Sequence, residues 1–101
     1  MTADKLADAV NPTELVKFVS TETKTVSVNA SSGANVSFSI SVPSGYIPVG
    51  VKRVATGTHA VIPYYFEVFM DGTANMNVRN VSTVSSINAN CSMIVFCIKN
   101  I

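Results

Sequence analysis

Charged side chains are scarce in this chain of 101 residues: only 13% are charged, and the formal net charge is +1. Proteins that bind nucleic acid through its phosphates carry clustered lysine and arginine, so this balance argues against a nucleic-acid partner. No uninterrupted apolar run approaches the roughly 18 residues of a membrane span, and the N-terminus lacks the basic and apolar regions of a signal peptide. We therefore expect neither nucleic-acid binding nor membrane insertion.

The residues that catalysis needs are also few. His59 is the only histidine and lies in a loop of glycine and threonine, without the glycine-flanked serine that a nucleophilic triad uses. A carboxylate pair for glycoside hydrolysis would have to come from Glu67 and Asp71, and Asp71 is already explained by a turn. No phosphate-binding glycine loop and no calcium loop occurs. We therefore expect a protein that is not an enzyme and has no catalytic residue, cofactor or metal site.

Two cysteines, Cys91 and Cys97, lie six residues apart in what the pattern predicts to be one strand. At about 3.3 Å per residue, their Cα atoms would lie about 20 Å apart. A disulfide needs less than about 7 Å, and the pair with His59 gives too few ligands for a metal ion. The sequence therefore predicts two free thiols that are buried on the same face of the strand.

Residues 1–22 differ from the rest and hold four of the six acidic residues. Residues 3–10 form a helix-compatible stub with Leu6 and Val10 at i,i+4 spacing. Residues 11–14, Asn-Pro-Thr-Glu, have the pattern of a helix start, and residues 15–19 would add about two turns. Such short helices need a partner surface. We predict an N-terminal arm over residues 1–22, helical or extended, that serves docking or oligomerisation.

From residue 23 the apolar period changes to two, which predicts strands at residues 23–30, 35–42 and 46–54. Pro48 has no amide hydrogen, so the third of these is an edge strand or begins after the proline. Residues 80–90 are predicted to be a meandering connection before a final strand at 91–98. About six strands with regular turn signals predict an all-β fold, a single antiparallel β-sandwich over residues 23–101.

A β-hairpin is predicted over residues 61–79, with its first strand starting after Pro63 and its turn at Asp71-Gly72. A two-residue turn would set apolar residues opposite amides. A three-residue loop with a left-handed glycine separates an apolar face from a mixed face, so we favour it. In that register Val68 pairs with Ala74, Phe66 with Met76 and Tyr64 with Val78. The mixed face then carries Tyr65, Glu67 and Phe69 opposite Asn77, Asn75 and Thr73.

Two surfaces are candidates for function. The final strand is apolar on both faces, with Cys91, Met93, Val95 and Cys97 on one. A strand with one face in solvent would carry polar residues on that face. The second apolar face of this strand is therefore predicted to be covered by the rest of the fold or by another subunit. The candidate interface residues are Ile94, Phe96, Ile98, Leu15 and Phe18. The candidate ligand face is Tyr65, Phe69, Asn75 and Asn77, because aromatics stack on sugar rings and amides hydrogen-bond hydroxyls. The competing interpretation is that a strand layer or a neighbouring subunit covers this face.

Several motifs occur in order along residues 37–100: Pro43-Ser44-Gly45-Tyr46-Ile47-Pro48-Val49-Gly50, an aromatic strand, Val78-Arg79-Asn80-Val81, and an apolar strand that ends at Lys99-Asn100. In these motifs the chain resembles small C-terminal β-domains of bacteriophage tail fibres and related virion surface proteins. Ala3-Asp4-Lys5-Leu6-Ala7 is similar to segments of fibre shafts and collars. The resemblance implies a trimer that attaches the particle to a host surface or decorates its shell, and a short head-decoration, auxiliary capsid or adaptor protein is equally compatible.

These observations lead us to expect a structural component of a phage virion, located on the particle surface after assembly in the host cytoplasm. It would form a homotrimer and contact other virion proteins through residues 1–22. Host-surface attachment through a glycan is a secondary hypothesis. The alternative from another class is a free-standing carbohydrate-binding module whose Tyr65 and Phe69 are exposed on a monomer.

Overall fold

The last strand of the chain is the longest and is the common partner of three others. The computed structural model describes residues 15–100 and contains strands β1 Val16–Ser20, β2 Lys24–Val28, β3 Gly33–Ser39, β4 Tyr46–Ala55, β5 Val61–Val68, β6 Thr73–Asn80 and β7 Ile87–Lys99. They form one antiparallel sheet of four strands and one of three. The all-β sandwich predicted from the sequence is confirmed, with seven strands where about six were expected.

In the first sheet, here called the β7 sheet, strands β1, β2 and β4 all pair with β7. β1 and β4 pair with the same part of β7 and therefore lie on its opposite edges, while β2 follows β1 toward the start of β7. The register changes by one residue between β1 and β2. There the Thr21 amide donates to the Met93 carbonyl and the Thr21 hydroxyl accepts from the Met93 amide, both at 2.9 Å.

The second sheet, the β6 sheet, has the strand order β3-β6-β5. Its hairpin has the predicted three-residue loop: Phe69 donates to the Thr73 carbonyl, and Gly72 has a φ of 89°. The predicted pairs of Val68 with Ala74 and Phe66 with Met76 are confirmed.

Two details of the predicted hairpin are wrong. The strand begins at Val61, before the proline, and Pro63 rather than Tyr64 lies opposite Val78. Tyr64 is the extra residue of a β-bulge. A bulge is expected here because proline donates no ladder hydrogen bond, which loosens the pairing beside it.

The core lies between β7 and β6. The inward residues of both strands are at most 1% exposed: Ala89, Cys91, Met93, Val95 and Cys97 on β7, and Ala74, Met76 and Val78 on β6. Both cysteines are free thiols on the buried face, as predicted, and burial raises the pKa of each. Phe66 was expected in the core and is 44% exposed, because β5 is the edge strand of its sheet.

The predicted helical turns are wrong from residue 16 onward, because Val16–Ser20 is strand β1, and only Leu15 is helical. Pairing with β7 supplies partners for the main chain of β1, and valine and phenylalanine suit a half-buried strand better than an isolated two-turn helix. The predicted stub at residues 3–10 and helix start at 11–14 lie outside the described residues. The predicted connection at 80–90 is shorter than expected, since β7 begins at Ile87. Residues 15–100 include no helix that is long and apolar enough to cross a membrane.

Asn80 is a polar residue at the end of β6 that is 0% exposed. Its amide nitrogen donates to the carbonyls of Val28 and Ser85 at 2.9 Å, and its amide oxygen accepts from the Ser82 amide at 2.9 Å. The hydrogen bonds of this side chain therefore join β6 to the end of β2 and to the connection between β6 and β7.

We expect Asn80→Ala to lower the free energy of unfolding by about 3 kcal/mol, because it leaves the buried Val28 carbonyl without its partner and removes the hydrogen bonds to Ser82 and Ser85 at the edge of the core. Urea unfolding of both proteins measures the difference. Asn88→Ala is the matched control, since Asn88 is exposed on β7, and it should cost less than about 1 kcal/mol. Equal losses in the two variants would contradict the role assigned to Asn80.

Candidate functional site

The outer face of the β7 sheet is built from three cross-strand rows. One row is Val16, Ile98 and Ile47, the next is Phe18, Phe96 and Gly50, and the third is Ser20, Ile94 and Arg53. Partners in such a row project to the same side of the sheet. We call the six apolar side chains of these rows the apolar outer face: Val16, Phe18, Ile47, Ile94, Phe96 and Ile98.

The centre of the apolar outer face depends on a glycine. The Phe96 ring lies directly over Gly50, where a Cβ atom would be 2.5 Å from the nearest ring carbon. Any side chain at this position would have to displace the ring. Phe18 stands beside Phe96 in the same row and is 57% exposed. The ammonium group of Lys52, from a β4 bulge, lies 4.2 Å from the centre of the Phe18 ring, a cation–π contact.

The charges around this face have one sign. Strands β1, β4 and β7 carry no acidic residue, and their basic residues Lys52 and Arg53 border this face, while Lys17 and Lys99 have the register of the other side of the sheet. Arg53 closes the third row of the face beside Ile94. An acidic group that approached this face would meet unopposed positive charge.

The outer face of the β6 sheet has a different chemistry. Its rows are Asn35, Asn77 and Tyr65, then Ser37, Asn75 and Glu67, then Ser39 and Thr73 beside Phe69. We call this surface the amide face. The Ser37 hydroxyl donates to the Asn75 side-chain oxygen at 2.8 Å, which orients that amide. Tyr65 is 48% exposed and Phe69 38% exposed.

The bulge in β5 adds a second tyrosine to the amide face. Gly33 lies two positions before Asn35 on β3 and pairs with Arg79. Because side chains two positions apart project to the same side, a Cβ at Gly33 would lie on the amide face. The Tyr64 hydroxyl lies 3.8 Å from that Cβ position. Tyr64 therefore crosses the amide face beside Tyr65 instead of entering the core as the sequence predicted, and it remains 61% exposed.

Two ionisable groups on or near the amide face have shifted pKa values. A hydrogen bond with Glu67 and the nearby carboxylate charge raise the pKa of Tyr65. The Thr73 hydroxyl and amide both donate to the Asp71 carboxylate, at 2.7 and 3.0 Å, and lower the pKa of Asp71. Asp71 thus holds the hairpin loop next to Phe69 as well as forming the turn.

The structure brings together four of the five predicted interface residues: Phe18, Ile94, Phe96 and Ile98 share the apolar outer face. Leu15 immediately precedes β1, is half-buried, and has no strand partner that would place it on this face. Tyr65, Phe69, Asn75 and Asn77 also share one face, as predicted. The two faces belong to different sheets and point to opposite sides of the sandwich.

Gly50, Lys52 and Tyr64 were missed by the sequence reasoning. A glycine inside a strand after a proline was the available signal for Gly50, since it marks a bulge or a close approach of another group. The remaining reactive residues are not assembled into a site. His59 is exposed in the loop before β5, and residues 15–100 include no cluster of three potential metal ligands.

A shallow groove runs between strands β4 and β5. Its volume is about 270 Å³, and its lining residues are Val49, Gly50, Val51, Phe66, Glu67 and Val68. Glu67 is the single ionisable residue among them, and its carboxylate accepts a hydrogen bond from Tyr65 on the amide face.

Comparisons with protein-family models, with curated proteins and with solved structures found no match. The likeness to phage β-domains therefore remains a hypothesis from sequence motifs. The proposed function is therefore based on the apolar outer face and the amide face.

We expect Asp71→Asn to lower the unfolding temperature at pH 7, because the amide still accepts from Thr73 but loses the charge. A lowered pKa means that the folded state favours the carboxylate. This stabilisation is complete above the ordinary aspartate pKa, near 3.9, and is lost as the pH falls through the folded-state value. Thermal unfolding should therefore separate the proteins at pH 7 and bring them together near pH 2. A difference of the same size at both pH values would contradict this prediction.

Proposed function

We propose that this protein is a non-enzymatic structural component of a phage virion, an oligomeric β-sandwich on the particle surface that acts in assembly. The observation that carries the proposal is the apolar outer face, where apolar side chains from three strands adjoin, with Phe18 and Ile98 exposed and the other four half-buried. Its chemistry is that of a sandwich core, although no layer of the described chain lies over it. The trimeric state and the particle come from the resemblance to phage β-domains.

The exposure of this face favours a protein partner. Phe18 is 57% exposed and Ile98 is 38% exposed, and both adjoin Phe96. Single exposed apolar residues are ordinary on a monomer, but a contiguous group marks an interaction surface. Each Å² of apolar surface removed from water contributes about 25 cal/mol, so covering aromatic and branched side chains supplies a driving force for association. A second copy offers the same apolar chemistry.

The amide face favours host-surface attachment as a further role, and it equally supports the alternative of a free-standing carbohydrate-binding module. Tyr64 and Tyr65 lie side by side there, and Asn77 shares a row with Tyr65. Exposed aromatic rings provide the flat apolar surface on which the faces of sugar rings stack, while neighbouring amides and Glu67 provide partners for hydroxyls. Since this face lies on the opposite side of the sandwich, glycan binding would not compete with association through the apolar outer face.

Phe18→Ser should convert the oligomer to a monomer, because it removes the most exposed aromatic ring of the apolar outer face. We expect association to weaken by about 30-fold or more, as for a central interface residue. Light scattering across a range of protein concentrations gives the mass. Phe69→Ser is the matched control on the amide face and should leave the mass unchanged. A wild-type monomer at high concentration would overturn self-assembly, and an unchanged mass for Phe18→Ser would exclude this face as the interface.

For the amide face, we expect Tyr65→Ala to weaken binding of neutral oligosaccharides of glucose, galactose or N-acetylglucosamine by about tenfold, since each stacked ring contributes about 1–1.5 kcal/mol. Calorimetric titration with the member that the wild-type protein binds best is the measurement. Phe66→Ala is the control, because Phe66 lies on the same strand but toward the core side. Equal affinity for wild type and Tyr65→Ala would exclude the amide face as the glycan site.

A further inference from the structure

We propose that residues 1–14 of one copy lie on the apolar outer face of a neighbouring copy, so that the oligomer is joined by exchanged N-terminal segments. This inference rests on the proposed self-assembly and names what covers the face. The interacting groups are Leu6 and Val10 with the Phe18–Phe96 pair, and Asp4 and Asp8 with Lys52 and Arg53.

Charge divides sharply between the two parts of the chain. Residues 15–100 contain six basic and three acidic residues, a net charge of +3, whereas residues 1–14 contain three acids and one lysine, a net charge of −2. Strands β1, β4 and β7 carry basic residues and no acidic residue, and Lys52 and Arg53 border the apolar outer face. Opposite charge of this kind steers the segment to the face and fixes its position there.

The apolar pattern of the segment matches the face as well. Leu6 and Val10 project to the same side in an extended chain, where the period is two, and in a helix, where they are one turn apart. In an extended chain Asp4 and Asp8 also share that side. The segment then presents aliphatic and acidic groups together, and the face presents aromatic and basic groups together.

The direction of β1 favours a neighbouring copy over the segment's own sandwich. β1 runs from Val16, opposite Ile98, toward Ser20, opposite Ile94, so the chain enters the sheet at the end where Ile98 lies. A segment that continued the line of β1 backward from Val16 would lead away from Phe18. To cover its own face, the chain would have to reverse direction within residues 11–15, where Pro12 disfavours a helical conformation at Asn11. The fully extended length of a 14-residue segment is about 45 Å, which is enough to reach an adjacent molecule.

Complementation between two full-length variants tests the exchange. Leu6→Ser/Val10→Ser disables the segment and keeps the face, while Phe18→Ser disables the face and keeps the segment. We expect each variant alone to associate at least about tenfold more weakly than wild type. Mixed in equal amounts, they should form a complex containing both, because the intact segment of one reaches the intact face of the other. Sedimentation of the mixture, with one variant fluorescently labelled, detects this complex.

The other outcomes are decisive in the opposite direction. If Leu6→Ser/Val10→Ser remains an oligomer like wild type, the segment does not cover the face, while self-assembly stands. If this variant associates more tightly than wild type, the segment covers its own face, and exchange is overturned. If the mixture stays monomeric, exchange between copies is likewise overturned. A monomeric wild-type protein would instead remove the proposed self-assembly itself.

A charge swap provides a second readout that does not depend on apolar packing. Asp4→Lys/Asp8→Lys should weaken association by about tenfold at low salt, and Lys52→Glu/Arg53→Glu in the same chain should restore it. Thr2→Lys/Thr13→Lys/Glu14→Lys makes the same change of +4 outside the acidic pair and is the matched control. Loss without restoration, or equal loss in the control, would contradict the pairing of these groups.

Discussion

Hydrogen bonding along both edges of β7 is the constraint on which the rest of the molecule depends. β1 and β2 follow one another along one edge and β4 occupies the other, so three strands owe their place in the sheet to one. The register change between β1 and β2 is bridged by the Thr21 hydroxyl, which accepts from the Met93 amide. Because the inner side of β7 is buried from Ala89 to Cys97, the strand that orders the sheet also fills the core.

The same strand supplies the surface to which we assign assembly. Alternation along β7 sends Cys97, Val95 and Met93 into the core and Ile98, Phe96 and Ile94 outward, so fold and proposed interface are two sides of one element. Gly50 gives Phe96 its place by leaving space under the ring. The glycan-binding hypothesis concerns the amide face of the other sheet. The residues proposed for glycan binding and those proposed for assembly are therefore different.

Much of this arrangement could be predicted because strand alternation is a local property. The inward side of β7 and the pairing of Phe66 with Met76 followed from periodicity and from a loop that needs a left-handed glycine. The candidate residues of each surface lie on one face because positions two apart in a strand project to the same side. The helix predicted from the preceding helix-start residues fails at residues 16–19, where a local preference worth a few tenths of a kcal/mol per residue yields to main-chain pairing with a distant strand.

The sequence by itself determined the all-β class, the free buried thiols and which residues of each strand lie on the same side, because these depend on composition and a period of two. The tertiary structure alone decided that β1 joins the sheet, that a bulge beside Pro63 turns Tyr64 onto the amide face, and that Phe96 lies over Gly50 and beside Phe18. These features depend on contacts between residues far apart in the chain, whose register is set when the strands pair and cannot be read from either strand alone.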